Sequence, residues 1–269
     1  MDLLAAALLG AVQGVTEFLP VSSSAHLILV KAFFGWDTDR FGLAFDVACH
    51  VGTLLAVLVY FRHDLIAMLS AWPRALRAHP DRDGRRIQLI VVGTIPIVIV
   101  GLLFADVIEA STRTPLVAAT ALALGAGLLL LIERWKPTGG DESQLGLGGA
   151  FLIGVAQSTA LVPGVSRSGA TIAAGMALGL RRDVAARFTF LMSIPAVTAA
   201  AVKEALTLRH AAFGAADAQV FLVGIGVSAV VGYLTVTYFI RFLATNRLDV
   251  FAWYRVGLAL AAFAWLLGR

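Results

Sequence analysis

Two short stretches of this 269-residue chain carry residue types that could act on a phosphate group. The first runs from Gln13 to His26, the second from Pro163 to Thr171. Gln13 and Glu17 are four apart, so an amide and a carboxylate share one face of a helix. Aimed inward, the pair could hold a divalent cation or orient a water; the alternative is a hydrogen-bonded pair that only fixes packing. Ser23 and His26 are three apart and become neighbours if a helix begins near Ser22. A hydroxyl beside an imidazole is a nucleophile–base arrangement. In the second stretch Gly164 permits a tight approach of backbone, and Ser166 or Ser168 can cap a helix that starts there. The N-terminus of that helix offers N–H groups and a positive dipole end to an anion. Arg167 adds a planar fork matched to phosphate oxygens, and Thr171 lies one turn further on the same face. Together these predict a phosphate cradle. The alternative is a capped helix with Arg167 paired to Glu17, and both can hold in the empty protein.

Composition says what must position these groups. Hydrophobic residues make up 59% and charged residues 14%, with a mean hydropathy of +0.86. Soluble domains run near about 45–50% apolar and about 25% charged. An ordinary cytosolic enzyme, a disordered chain and a nucleic-acid binder are excluded. So is a disulfide scaffold, since Cys49 is the only cysteine. The net charge of +4 and pI near 9.6 need no acidic partner, because Lys and Arg collect in the inner loops of membrane proteins. The first residues lack a basic n-region, and Gln13 and Glu17 interrupt their apolar run, so no cleaved signal peptide is expected.

Six stretches are long enough to span a bilayer: Phe41 to Phe61, Ile87 to Ala105, Pro115 to Ile132, Val184 to Val202, Val220 to Ile240 and Val250 to Leu267. Two more, Leu3 to Phe34 and Leu147 to Leu180, are broken near Pro20 and Pro163. Broken backbone at membrane depth is tolerated only when buried in protein or lining a wet cavity. Each is therefore read as a re-entrant hairpin with a polar tip. The expected fold is an all-α polytopic membrane protein of one domain over residues 1–269.

The Arg-rich loop from Arg62 to Arg86 is placed in the cytoplasm, and Arg134, Lys136, Arg181, Arg182, Arg187, Arg241 and Arg247 follow it there. Lys31, Arg40, Arg113, Lys203, Arg209 and Arg269 stay outside. The stretch from Lys136 to Gln144 reads as a plain loop. The two tips match loosely: Gly14-Val15 and Gly154-Val155 are each followed two residues on by Glu17 or Gln157, then by proline and serines. Each half, about 1–133 and about 146–269, has one hairpin and three spans, so the second lies inverted relative to the first. Inverted repeats with broken helices set binding sites near the midplane. Asp46 and His50, four apart in the first span, read either as a second polar pair near the site or as an internal hydrogen bond. Arg255 is expected to snorkel or to pair with a carboxylate.

At the two tips the sequence resembles the undecaprenyl-diphosphate phosphatase family of bacterial inner membranes, also called bacitracin-resistance proteins. The residues that carry the resemblance are Gln13 to Glu17, Pro20 to Ser23 with His26, and Pro163 to Thr171. Position 13 is Gln where the family often has Glu. The resemblance implies hydrolysis of undecaprenyl diphosphate to undecaprenyl phosphate and inorganic phosphate, which recycles the lipid carrier for peptidoglycan and raises bacitracin resistance. It implies a divalent cation, Mg2+ or Ca2+, with Glu17 and Gln13 as its expected ligands. The expected catalytic residues are Glu17, Ser23, His26 and Arg167, with Ser23 attacking phosphorus and His26 as base; attack by metal-held water is the rival route. The expected substrate-binding residues are Ser22, Gly164, Ser166, Arg167, Ser168 and Thr171. The expected partners are the lipid substrate and membrane lipid, with no nucleic acid; a homodimer is compatible. The expected site faces the periplasm. The rival function is a polyprenyl-phosphate flippase or small-anion transporter on the same repeat.

Overall fold

The computed structural model describes residues 2–36, 41–77, 79–135, 139–208 and 215–268. Arg40, Lys136, Arg209 and Arg269 lie outside them. The described residues fold as helices: α1 (Asp2–Thr16), α2 (Ser23–Phe34), α3 (Leu43–Tyr60), α4 (Arg62–Ala75), α5 (Arg82–Thr112), α6 (Pro115–Trp135), α7 (Leu147–Ser158), α8 (Arg167–Ala177), α9 (Arg182–Leu208), α10 (Ala215–Leu243) and α11 (Asp249–Leu267). Six of them, α3, α5, α6, α9, α10 and α11, are long and apolar enough to cross a membrane, matching the six expected spans. They turn large apolar side chains such as Leu102, Leu124, Val230 and Leu260 outward, as bilayer-crossing helices do. The chain is a multi-pass all-α membrane protein.

The other helices divide by length. With 15, 12, 12 and 11 residues, α1, α2, α7 and α8 reach only about 16–22 Å. A hydrocarbon core is about 30 Å thick. Turns at residues 17–22 and 159–166 join each short pair. Two expectations change. The Arg62–Arg86 segment is not all loop: it holds α4, and Asp81 then starts α5 by accepting the Gly84 N–H at 2.9 Å. The described part of the Lys136–Gln144 segment, residues 139–144, is not a plain loop either: Glu142 opens a 3-10 turn and accepts from Arg86 Nε and Nη2 at 2.7 and 3.0 Å.

Small residues let the short helices pack closely against long ones. Gly10 of α1 lies on Gly224 of α10, Gly154 of α7 on Gly93 of α5, and Gly52 of α3 beside Ser228 of α10. Without a hydrophobic drive between helices in lipid, such close backbone approach supplies much of the packing energy. At the Arg-rich end charged pairs tie elements together. Asp64 accepts from Arg86 and Arg187, and Glu133 of α6 accepts from Arg182 of α9 and from the Leu248 N–H before α11. At the other end of α3, Asp46 takes the Lys31 ammonium at 2.8 Å and also pairs with Arg113. Lys31 is therefore a buried helix residue with a carboxylate partner, and Asp46 does not use its carboxylate on His50.

Candidate functional site

The tips of the two short-helix pairs meet. Ser22 and Ser166, at φ 71° and 72°, are the described non-glycine residues in the left-handed region. Each precedes a helix and caps it: Ser22 Oγ accepts the Ala25 N–H, and Ser166 Oγ accepts the Gly169 N–H. Such backbone costs of order 1–3 kcal/mol, so its surroundings must hold it in place. The tips are in fact bonded to one another. Gly164 N–H donates to Ser22 Oγ at 3.1 Å, and Ser168 Oγ donates to the Leu19 carbonyl at 2.9 Å. Gly164, at φ 101°, must be glycine twice over, since a Cβ there would strike Ala118 and Ala121 of α6.

Arg255 of α11 clamps this joint. It is fully buried, and its guanidinium donates to the carbonyls of Pro20, Ala121, Leu122, Gly164 and Val165 at 2.9–3.3 Å. Pro20, Gly164 and Val165 lie in the turns, where no helix supplies a donor to their carbonyls, while Ala121 and Leu122 belong to α6. Gly125 of α6 leaves the room the guanidinium occupies. The expectation for Arg255 is corrected: it neither snorkels nor, among the described residues, pairs with a carboxylate.

Beside the clamp, Glu17 gathers groups from four helices, α1, α2, α3 and α8. Ser23 Oγ donates to Glu17 Oε2 at 2.7 Å, and Gln13 Nε2 donates to the same oxygen at 2.8 Å. Arg167, from the other tip, pairs with Glu17 Oε1. His50 of α3 brings Nε2 to 3.3 Å from Oε2. Glu17 is only 7% exposed, while the His50 and Arg167 side chains are 28% and 19% exposed and mark the open side. The structure thus unites Gln13, Glu17, Ser23 and Arg167.

Other expected residues fall elsewhere in the cluster. His26 does not bond Ser23. Its Nδ1 lies 2.7 Å from the Ser22 carbonyl, an acceptor only, so that nitrogen carries the proton. Its Nε2, at 2.8 Å, then accepts from the Tyr254 hydroxyl, whose ring stacks on the imidazole. Both nitrogens are committed, which removes the imidazole from the Ser23 hydroxyl. Thr171 Oγ1 bonds back to the Arg167 carbonyl at 2.6 Å, and Ser22, Ser168 and Gly164 spend polar groups on the joint. Sequence reading missed His50 as a neighbour of Glu17, and missed Tyr254 altogether. His50 carried a usable signal, a polar residue on a span four from Asp46, but spacing along one helix cannot name a partner on another.

Residues 6–261 match the family described as bacitracin resistance protein BacA. The chain belongs to this family. It is 47% identical over 270 residues to an undecaprenyl-diphosphatase of Rubrobacter xylanophilus, covering 99% of each chain. It is 45% identical to one of Alcanivorax borkumensis over 99% of this chain and 100% of that one, and 44% identical to one of Trichlorobacter lovleyi over 99% and 98%. Similarity along the whole length means that both tips and the α11 clamp fall inside the BacA match. The divalent cation that the family resemblance implies finds fitting donors here. Gln13 Oε1 is buried with no hydrogen-bond partner, next to the Glu17 carboxylate. Oxygen donors of this kind suit a hard cation. Among the described residues no three His, Cys, Asp or Glu side chains cluster, so most of the coordination sphere would be water or substrate oxygen.

Proposed function

We propose that the chain hydrolyses undecaprenyl diphosphate to undecaprenyl phosphate and inorganic phosphate, recycling the lipid carrier for peptidoglycan and conferring bacitracin resistance. The observation that carries this reading is the meeting, at Glu17, of a hydroxyl from one tip and a guanidinium from the other. The two short-helix pairs are proposed to be re-entrant hairpins of an inverted-topology repeat, over about 1–133 and 146–269. Support comes from the twin serines, which stand 144 residues apart, as do Gln13 and Gln157, both fully buried. That spacing sets Gln157 against Gln13 rather than against Glu17, one helical turn away from the register the sequence suggested. The site is proposed to face the periplasm: His50 lies in the first half of α3, and the Arg-rich segment from Arg62 to Arg86 follows the far end. A homodimer is its proposed assembly.

In the proposed reaction, Arg167 and the first N–H groups of α8 hold the terminal phosphate and the charge that grows on it. Phosphoryl transfer asks mostly for such positioning and charge stabilisation. Ser23 Oγ attacks the terminal phosphorus; its proton passes to Glu17 Oε2, and the bridging P–O pair leaves with undecaprenyl phosphate. Water then attacks the seryl phosphate, releasing inorganic phosphate and returning the proton to Ser23. His26 is reassigned from base to support, because the Tyr254 hydroxyl already occupies its free lone pair. A bound divalent cation would neutralise diphosphate charge beside Glu17 and Gln13.

The test is phosphate release from a polyprenyl diphosphate by purified protein in detergent. An enzyme works there. A flippase or anion transporter, which needs a sealed compartment, does not, and absence of release from a folded preparation overturns the proposal.

A further inference from the structure

We propose that α4 is an interfacial shelf that binds an anionic phospholipid, with an acyl chain in the groove beneath it and the phosphate held on its rim by Arg62 and Arg77. The site lies at the Arg-rich end of the bundle and takes no part in the reaction at Glu17. Two contacts fix how α4 lies. Arg86 of α5 donates to Asp64 near the start of α4 at 3.1 Å, and Gln88 of α5 donates to the Ala75 carbonyl at its end at 2.9 Å. Residues 86 and 88 differ by about 3 Å of rise along α5, whereas Asp64 and Ala75 stand about 16 Å apart along α4. Between those ends Met68 and Ala71 pack with Ile87. The helix therefore lies across α5. Because α5 is a span whose apolar stretch begins at this crossing, α4 rests along the face of the apolar layer.

The two sides of α4 suit that place. Ile66, Leu69, Trp72 and Leu76, three or four residues apart, form one exposed apolar strip, while His63, Ser70, Arg74 and Arg77 share another face. Such a helix sets its apolar face among acyl chains and its basic face among headgroups. Beneath α4 is a groove of about 470 Å³, lined by Leu65, Leu69 and Trp72, by α5 from Ile87 to Ile99, and by Pro195 of α9. Its one hydroxyl, on Thr94, is spent on the Ile90 carbonyl at 2.7 Å, so the lining suits hydrocarbon. The groove follows α5 for about 18 Å. That is close to one leaflet, half of a hydrocarbon core about 30 Å thick. One acyl chain fits this depth, and a far longer undecaprenyl tail overruns it.

Charge selects the headgroup. Asp64 is spent on Arg86 and Arg187, and Asp81 on Arg74. Arg62 and Arg77 are exposed and, among the described residues, make no ion pair. On the helical wheel both lie opposite Ala71 and Ala75, the residues packed on α5, so they flank the side from which a lipid reaches the groove. Their planar forks match phosphate oxygens. Each cation beside an anionic lipid is worth about fivefold in binding.

The experiment places full-length protein in mixed micelles with phosphatidylglycerol or phosphatidylcholine carrying brominated acyl chains, which quench tryptophan on contact. The difference between wild type and Trp72→Phe isolates the Trp72 signal. Half-quenching of Trp72 should need at least about fivefold less brominated phosphatidylglycerol than phosphatidylcholine. Arg62→Gln/Arg77→Gln should bring the two lipids within about twofold of each other. Val91→Phe, which fills the groove, should weaken quenching by both. Equal quenching of wild type by the two lipids overturns the proposal whether or not any variant folds. So does a double variant that keeps the preference, or a Val91→Phe protein quenched like wild type. Displacement of brominated phosphatidylglycerol from Trp72 by equimolar undecaprenyl phosphate would give the groove to the isoprenoid and overturn it as well.

Discussion

At the tip before α2, Ser22 stands at φ 71° and caps Ala25; at the tip before α8, Ser166 stands at φ 72° and caps Gly169. A fully buried glutamine lies nine residues upstream of each, and a glycine three residues before that touches a glycine of a long helix. The side chains then diverge. Where the first tip has Glu17 the second has Leu161, and the first helical residue is Ser23 in one and Arg167 in the other. One backbone solution thus serves twice, while the chemistry is divided: acceptor and hydroxyl on one side, cation on the other. Two identical acidic tips would repel one another and the diphosphate alike, whereas unlike tips attract each other when empty and can clasp an anion when occupied.

The division is broken most completely at Arg167. Arg167→Ala should lower phosphate release by at least about a thousandfold, the scale for removing a main stabiliser of transition-state charge. Arg167→Lys should recover little, since an ammonium cannot replace the planar fork. A folded Arg167→Ala protein with wild-type turnover would refute the division. On the opposite tip, Ser23→Ala should cost about a hundredfold or more in kcat, and a phosphoserine trapped at position 23 by rapid quench would mark it as the nucleophile. Full activity of Ser23→Ala would leave water as the attacking group.

Arg255 tests whether the tips must be held together. Arg255→Met removes the donors of several turn carbonyls, each costing about 1–3 kcal/mol when left unpaired. The tips should then lose register, with kcat falling at least about tenfold and KM much less changed. Equal losses in amount of folded protein and in activity, with kcat per folded molecule intact, would reduce the clamp to packing. Finer still, Ser166→Ala should cost about 1 kcal/mol as a lost cap. Ser22→Ala should cost more, because it also strands the Gly164 N–H, and thermal unfolding of the two variants reads the difference.

The smallest effect lies away from both tips. The Gly84 N–H and Arg74 beside Asp81 hold its carboxyl below the usual carboxylate range. A depressed value means the cap stabilises α5 above the ordinary aspartate pKa of about 4 and fades as the pH falls through the lowered one. Hydrogen exchange at the Gly84 amide should separate wild type from Asp81→Ala at neutral pH and converge below that window.

How much of this was legible follows from which forces act along the chain and which act across it. Hydropathy reports the solvent each segment meets, so the six spans were readable, with ends displaced most where α5, α9 and α10 continue beyond the apolar stretch. Turn residues report local backbone, so the two breaks and the capping serines were readable too. Glu17 and Arg167 were recognisable as a pair because few forces other than a partner keep such groups in an apolar chain. What stayed hidden was partner choice between helices distant in sequence. His26 looked like a base until Tyr254 claimed it, Arg255 was expected to snorkel or pair with a carboxylate until five carbonyls enclosed it, and Lys31 was counted only as an outer charge until Asp46 drew it inward. Each is a contact across more than ten residues, which no local spacing encodes.

The clamp has a consequence for how the molecule is made. Its two tips leave the ribosome far apart in time, and the guanidinium that fastens them belongs to the last helix of the bundle. A nascent chain that has already threaded five long helices into the bilayer therefore still lacks the donor that fastens the Pro20 and Gly164 carbonyls of its two tips.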